Sequence, residues 1–122
     1  MVNVQNEIQA KLTKGLLDPI ILQLLDEHPM YGYEIMKTIR KSYGVYLGAS
    51  TLYPTLNTLE KKRLVKSEWN MHTERPRKVY RLTNDGQAIL HYSVGSLNRI
   101  CKTIDNVNKN VDKRVEIGMI VE

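Results

Sequence analysis

Apolar positions in the first half of the chain recur at helical spacing. Val4, Ile8 and Leu12 stand four apart, which predicts a short amphipathic helix over about residues 4–14, weakened at Gly15. Asp18 before Pro19 reads as an N-cap followed by a helix position where proline costs no hydrogen bond, and Ile20, Ile21, Leu24 and Leu25 mark the buried stripe behind them. The two pieces fit either two helices or one kinked helix. After His28 and Pro29 a further helix is predicted over 30–41, with Tyr31, Ile35, Met36 and Ile39 on one side and Lys37, Arg40 and Lys41 outside. SYGVYLG, residues 42–48, has two glycines and reads as a turn. The next helix takes Ser50 or Thr51 as its cap, holds Pro54 within its first turn, turns Leu52, Leu56 and Leu59 inward, and ends at Lys61, Lys62 and Arg63.

Two short stretches follow, 64–69 and 78–83, rich in Val, Tyr, Trp and Thr and joined by a polar loop over 70–77. They predict a β-hairpin with a basic tip, in which Trp69 and Tyr80 form a cross-strand core. Asp85 and Gly86 introduce a last helix over about 84–112. The expected fold is mostly α with a small β-hairpin: a winged helix-turn-helix domain over 1–83, then a C-terminal dimerisation helix and tail over 84–122.

Composition narrows the function classes. A chain of 122 residues with 42% apolar content builds one small core, which excludes a multidomain enzyme. Cys101 is the single cysteine, so neither an internal disulfide nor a zinc cage is available, and a reducing cytoplasm fits. No apolar run approaches the roughly twenty residues of a membrane span, and the first residues do not read as an export signal. His28, His72 and His91 lack ligand spacing, and no phosphate loop or nucleophile motif occurs. No catalysis, cofactor or metal is expected.

The net charge of +5 is unevenly placed. Residues 37–81 hold 11 Lys and Arg against 3 acids, an excess of +8, whereas the remainder holds 7 against 10. A basic middle between mildly acidic ends suits a polyanion, although a solvated face gives the same count. With the Leu52 stripe inward, Ser50, Pro54, Asn57, Thr58 and Lys61 face outward. Asn57 can pair with N6 and N7 of adenine, Ser50 and Thr58 can donate or accept, and Lys61 can reach a phosphate. Tyr53 either meets the sugar-phosphate backbone or packs under the wing. Arg75, Arg77 and Lys78 surround Pro76, making a phosphate clamp or a minor-groove probe.

In the last helix Leu90, Leu97, Ile104 and Val111 repeat every seven residues, with Ile100 and Val107 three residues further on. That seam predicts a homodimer, through a contact kept short by Ser93 and Arg114. Cys101 reads as a small residue beside it, and residues 115–122 as either more helix or an apolar tail.

YGYEI at 31–35, STLYPTL at 50–56, Leu59 with Glu60, and RPRKVYRLT at 75–83 together resemble the PadR family of bacterial and archaeal transcription regulators, in unbroken order over about 12–86. The resemblance implies a dimeric winged-helix protein that binds double-stranded DNA, often a repressor released by a small ligand. Ser50, Thr51, Tyr53 and Pro54 would then begin the recognition helix, with Arg77 and Lys78 in the wing. Glu74 and Arg75 stand where family wings often carry glycine, which gives a stiffer, more charged tip. An effector rests on the resemblance alone, since the chain has no Phe and its last helix offers Tyr92 as its one aromatic. The expected function is a sequence-specific regulator, a repressor acting as a homodimer on a pseudo-palindromic operator. An architectural DNA-coating protein and a winged-helix protein-interaction module are the alternatives. Asn57 with its neutral neighbours argues against the first, and the wing cations against the second.

Overall fold

The computed structural model describes residues 3–116, with side chains up to Val107 and at Lys109. Asn3 caps α1 (Val4–Gly15), its side-chain oxygen accepting the N–H groups of Gln5 at 2.9 Å and Asn6 at 3.3 Å. Val4, Ile8 and Leu12, the apolar face that predicted this helix, are exposed in the single chain. The chain then re-enters helix directly, and α2 (Leu17–Glu27) is a separate element. Leu16 holds its cap position, so Asp18 is not the N-cap expected of it and lies inside the first turn. Pro19 is still harmless there, because the first N–H groups of a helix have no partner within it.

The helix expected over 30–41 starts two residues late. Met30 and Tyr31 form β1, paired antiparallel with Tyr80 and Val79, and α3 runs over Gly32–Tyr43. Backbone groups committed to a strand cannot open a helix. Glu34 reaches back to accept the Tyr31 N–H at 3.3 Å, which closes the junction.

α4 (Ala49–Lys61) has Gly48 at its cap, with no side-chain cap bond, so neither Ser50 nor Thr51 plays the capping part predicted for it. Pro54 sits in the second turn instead of the first. It deprives the Ser50 carbonyl of its donor, but both residues are exposed and water can satisfy that oxygen. Leu52, Leu56 and Leu59 are buried as expected. Past the helix end Arg63 adopts a left-handed φ of 62°, with its N–H on the Glu60 carbonyl at 2.9 Å and that of Leu64 on the Leu59 carbonyl at 3.0 Å. That turn directs the chain into the hairpin.

β2 (Val65–Asn70) and β3 (Arg77–Leu82) form the hairpin, and β1 adds on the far side of β3, so the sheet is three-stranded and antiparallel in the order β1-β3-β2. Ser67 stands opposite Tyr80, and Trp69 opposite Lys78. Tyr80 is buried, but Trp69 is 60% exposed and is not the cross-strand core residue it was expected to be. It lies near the loop end of the hairpin, one pair from the connecting loop, where it lines a groove instead of the core.

α5 (Asn84–Glu116) is longer than predicted. Thr83 starts it, its Oγ1 accepting the Gly86 N–H at 3.0 Å and donating to the Arg63 carbonyl at 2.7 Å. Gly86 is obligatory, since a Cβ there would lie 2.0 Å from the Leu64 carbonyl oxygen.

The core joins Ile21 and Leu22 of α2, Ile35 and Ile39 of α3, the α4 leucines, Val65, Tyr80 and Leu90. Residues up to Leu90 form one compact unit, and those from His91 onward a second, described as helix as far as Glu116. Among the described residues no helix is long and apolar enough to cross a membrane. The fold is mostly helical with a small antiparallel sheet and a long C-terminal helix. The Val111 side chain and residues 117–122, which include most of the tail considered above, lie outside the described residues.

Candidate nucleic-acid interface

Burying three leucines on one side of α4 turns Ser50, Thr51, Pro54, Asn57, Thr58 and Lys61 to solvent, all of them exposed. Two of the helix's threonines are tied to its backbone. Thr55 Oγ1 donates to the Thr51 carbonyl at 2.9 Å, and Thr58 Oγ1 to the Pro54 carbonyl at 3.0 Å. The Thr58 hydroxyl therefore faces outward as an acceptor while its proton is engaged.

Beside α4, the start of α3 and the sheet enclose an open groove of about 360 Å³. Tyr53 and Asn57 of α4 line it together with Arg77 and Lys78 of the wing, so the structure brings four of the predicted residues into one place. Ser50, Thr51, Pro54, Thr58 and Lys61 share the exposed side of α4 outside the groove lining, and Arg75 lies on the exposed hairpin loop.

Tyr53 does not lie loose. A Cβ at Gly32 would fall 2.6 Å from its hydroxyl and 2.8 Å from its ring, so the absence of a side chain there lets the ring pack on the start of α3 while 38% of the residue stays exposed. Tyr53 thus packs on the start of α3 and also lines the groove shared with the wing.

Aromatic rings hold the wing cations. The Arg77 guanidinium lies 5.2 Å from the Tyr31 ring centroid, and the Lys78 ammonium 5.5 Å from that of Trp69. The wing is braced at two further points. Asn70 Nδ2 donates to the Tyr31 hydroxyl at 2.7 Å, and the Glu60 carboxylate accepts the Ser67 N–H at 3.1 Å and the Ser67 hydroxyl in a short bond. Burial pushes the Tyr80 hydroxyl above the usual tyrosine range, with the Glu60 carboxylate and then Tyr53 adding to the shift, so Tyr80 stays neutral behind the groove.

Tyr31, Tyr33 and Trp69 also line this groove, and sequence reasoning missed all three as site residues. The YGY triplet at 31–33 was the available signal: two tyrosines around a glycine place aromatic rings where the backbone is approached closely. None of Lys61, Arg75, Arg77 and Lys78 is paired with a carboxylate, the ion pair found among the described residues being Lys109 with Asp105 at 3.2 Å. Among the described residues no group of three His, Cys, Asp or Glu side chains gathers to hold a metal ion. An exposed helix face flanked by uncompensated cations on a braced hairpin is suited to a duplex.

On α5 the predicted seam divides. Leu90 is buried in the first unit, Leu97 is half-buried, and Ile100, Ile104 and Val107 are exposed.

Comparison with known proteins places the fold in a family. The model of the transcriptional regulator PadR-like family matches residues 21–92. A PadR family transcriptional regulator from Eggerthella lenta is 31% identical, with 85% of this chain and 91% of that one covered and a TM-score of 0.77. A transcriptional regulator from Clostridium thermocellum is 33% identical, with coverage of 79% and 96% and a TM-score of 0.72. Bacillus subtilis PadR, solved in complex with operator DNA, is 26% identical over 65% of this chain and 45% of its own, with a TM-score of 0.60.

Proposed function

Because the chain belongs to the PadR-like family of transcriptional regulators, and is thereby a DNA-binding protein, we propose that it acts as a homodimeric repressor on a pseudo-palindromic operator. The observation that carries this reading is the groove in which Asn57 and Tyr53 meet Arg77 and Lys78. On this reading Asn57 reads an adenine edge in the major groove, Ser50, Thr51 and Thr58, beside the groove on the exposed side of α4, contact neighbouring base or sugar groups, and Tyr53 and Pro54 set the entry of α4. Lys61, Arg75, Arg77 and Lys78 bind phosphates and fix the register of the protein on the duplex. The operator complex of Bacillus subtilis PadR supports the choice of ligand.

The second copy is supported by the apolar surface left bare in one chain. Ile100, Ile104 and Val107 are exposed in register with Leu97, and Leu90 and Val111 continue the same repeat. α1 offers Val4, Ile8 and Leu12 in addition. Such surface is worth roughly 25 cal/mol per Å² on burial, and a two-fold dimer covers both copies of it at once. A two-fold protein presents two recognition helices, which asks for two inverted half-sites.

Selection of bound duplexes from a random pool tests the reading directly. Enrichment of an inverted repeat is the expected result. Binding without enrichment would leave a DNA-coating protein, and no salt-dependent binding would leave a protein-interaction module.

A further inference from the structure

Four aromatic rings line the groove, and an intact duplex has no use for their faces. Tyr31, Tyr33, Tyr53 and Trp69 stand around a space of about 360 Å³, within the size range of sites that hold small organic molecules. The bases of a duplex are stacked on one another and offer a protein only their edges, while its phosphates ask for cations and hydrogen-bond donors. Trp69 and Tyr33 are nevertheless left bare, at 60% and 63% exposure, which forgoes the burial that rings of this size supply in a core. Two of the ring faces carry a cation instead of an apolar neighbour, Lys78 over Trp69 at 5.5 Å and Arg77 over Tyr31 at 5.2 Å from the centroid.

The rings and cations are held ready for a ligand. Among the described residues neither cation is paired with a carboxylate, so each keeps its charge, and a ring face releases a cation more easily than a carboxylate does. Tyr53 is seated on the backbone at buried Gly32, and the Tyr31 ring is tied to the wing by the Asn70 amide at 2.7 Å, so the walls are formed in the free chain. Asn57 opens on the same space and brings an amide with both donors and an acceptor. A stacking face, an edge-reading amide and two cations beside them are the set that recognises a base together with its phosphate.

We propose that the groove is a nucleotide site, in which an unpaired base stacks on the Trp69 face now covered by Lys78 while Lys78 and Arg77 take its phosphate. Asn57 meets the edge of the base, and Tyr31 and Tyr53 wall the site. The ligand chemistry is a nucleobase bearing a phosphate, supplied either by an unpaired position in a DNA strand or by a free nucleotide. An apolar ring without an anion would leave both cations unused, and an anion without a ring would leave the indole in water. The inference rests on reading the groove as the nucleic-acid interface, and it extends that reading from paired bases to unpaired ones.

The test titrates the full chain with three probes: the paired duplex selected by the wild type, a single-stranded oligothymidine of about ten nucleotides, which does not pair with itself, and thymidine monophosphate. Trp69 is the one tryptophan, so quenching of its emission reports a base against the indole. Oligothymidine should quench it. Thymidine monophosphate that also quenches and displaces the strand identifies a free nucleotide as the ligand, whereas quenching by the strand alone identifies an unpaired position in DNA. Trp69→Leu removes the ring and keeps an apolar side chain. By anisotropy of a labelled strand it should weaken oligothymidine binding by roughly 5- to 150-fold, the worth of one stacked base, and weaken the paired duplex less. Trp69→Tyr keeps a ring and should restore most of the strand binding, which separates stacking from any disturbance of the hairpin. Absence of quenching by both strand and nucleotide overturns the inference, as does a Trp69→Leu variant that holds the strand as wild type does or loses strand and duplex equally. Wild type that binds no duplex in a salt-dependent way overturns the DNA-binding reading itself.

Discussion

Two side chains show how much chemistry a single position carries. Asn57 is exposed on α4 at the edge of the groove, where its amide offers one donor and one acceptor to a base edge. Asn57→Ala should weaken binding to the preferred duplex by about 1 to 3 kcal/mol and relax base choice at one position per half-site. A repeat selection with the variant measures this, and an unchanged motif would remove Asn57 from base reading. Tyr80 tests the interior. Its hydroxyl titrates above the ordinary 10.0, so between that value and the raised one the folded chain keeps a proton that the unfolded chain releases. Stability contributed by neutral Tyr80 is therefore complete below that range and is lost as pH rises through it. Urea unfolding at alkaline pH should show a steeper loss for wild type than for Tyr80→Phe, and identical slopes would mean that Tyr80 is not the group responsible.

At the scale of elements, the wing is an arm whose angle is set by its braces. Asn70 holds it to Tyr31, Glu60 holds β2 to the end of α4, and Arg77 rests on Tyr31, so its cations stand at a fixed distance from the recognition helix. Lys78→Ala should weaken binding to all sequences alike and lower the salt slope by about one unit per contact. A loss confined to one sequence would show that the wing reads bases. The helices were legible because burial follows their period. Leu52, Leu56 and Leu59 name the inner face of α4, and its outer face then follows by rotation. β1 was not legible, because a two-residue strand has no period and its partners Tyr80 and Val79 lie some fifty residues away. The exposure of Trp69 was hidden for a related reason. Alternation gives the side of a strand but not the point along it where the cover of the core ends. Asp18 and Pro54 misled because a good cap residue or a proline marks a helix start only within a turn or so.

At the scale of the whole molecule, the reading depends on a second copy. Leu97→Asp with Ile104→Asp places two carboxylates per chain in the proposed seam, where burying each unpaired charge costs several kcal/mol. Sedimentation should then show a monomer, and its affinity for the selected duplex should fall although α4 and the wing are untouched, because two linked half-sites hold far better than one. An intact dimer would reject the seam. The chain also supplies its own optical reporter. Trp69 is its one tryptophan, lies in the groove and is largely exposed, with the Lys78 ammonium over its ring. Intrinsic tryptophan fluorescence thus comes from a single known place in every protomer. A duplex that fills the groove should displace water from the indole and draw Lys78 away, shifting emission to shorter wavelength and changing its intensity in proportion to occupancy. Unlabelled protein can then be titrated directly, and an emission spectrum that ignores bound duplex would put the DNA somewhere other than this groove.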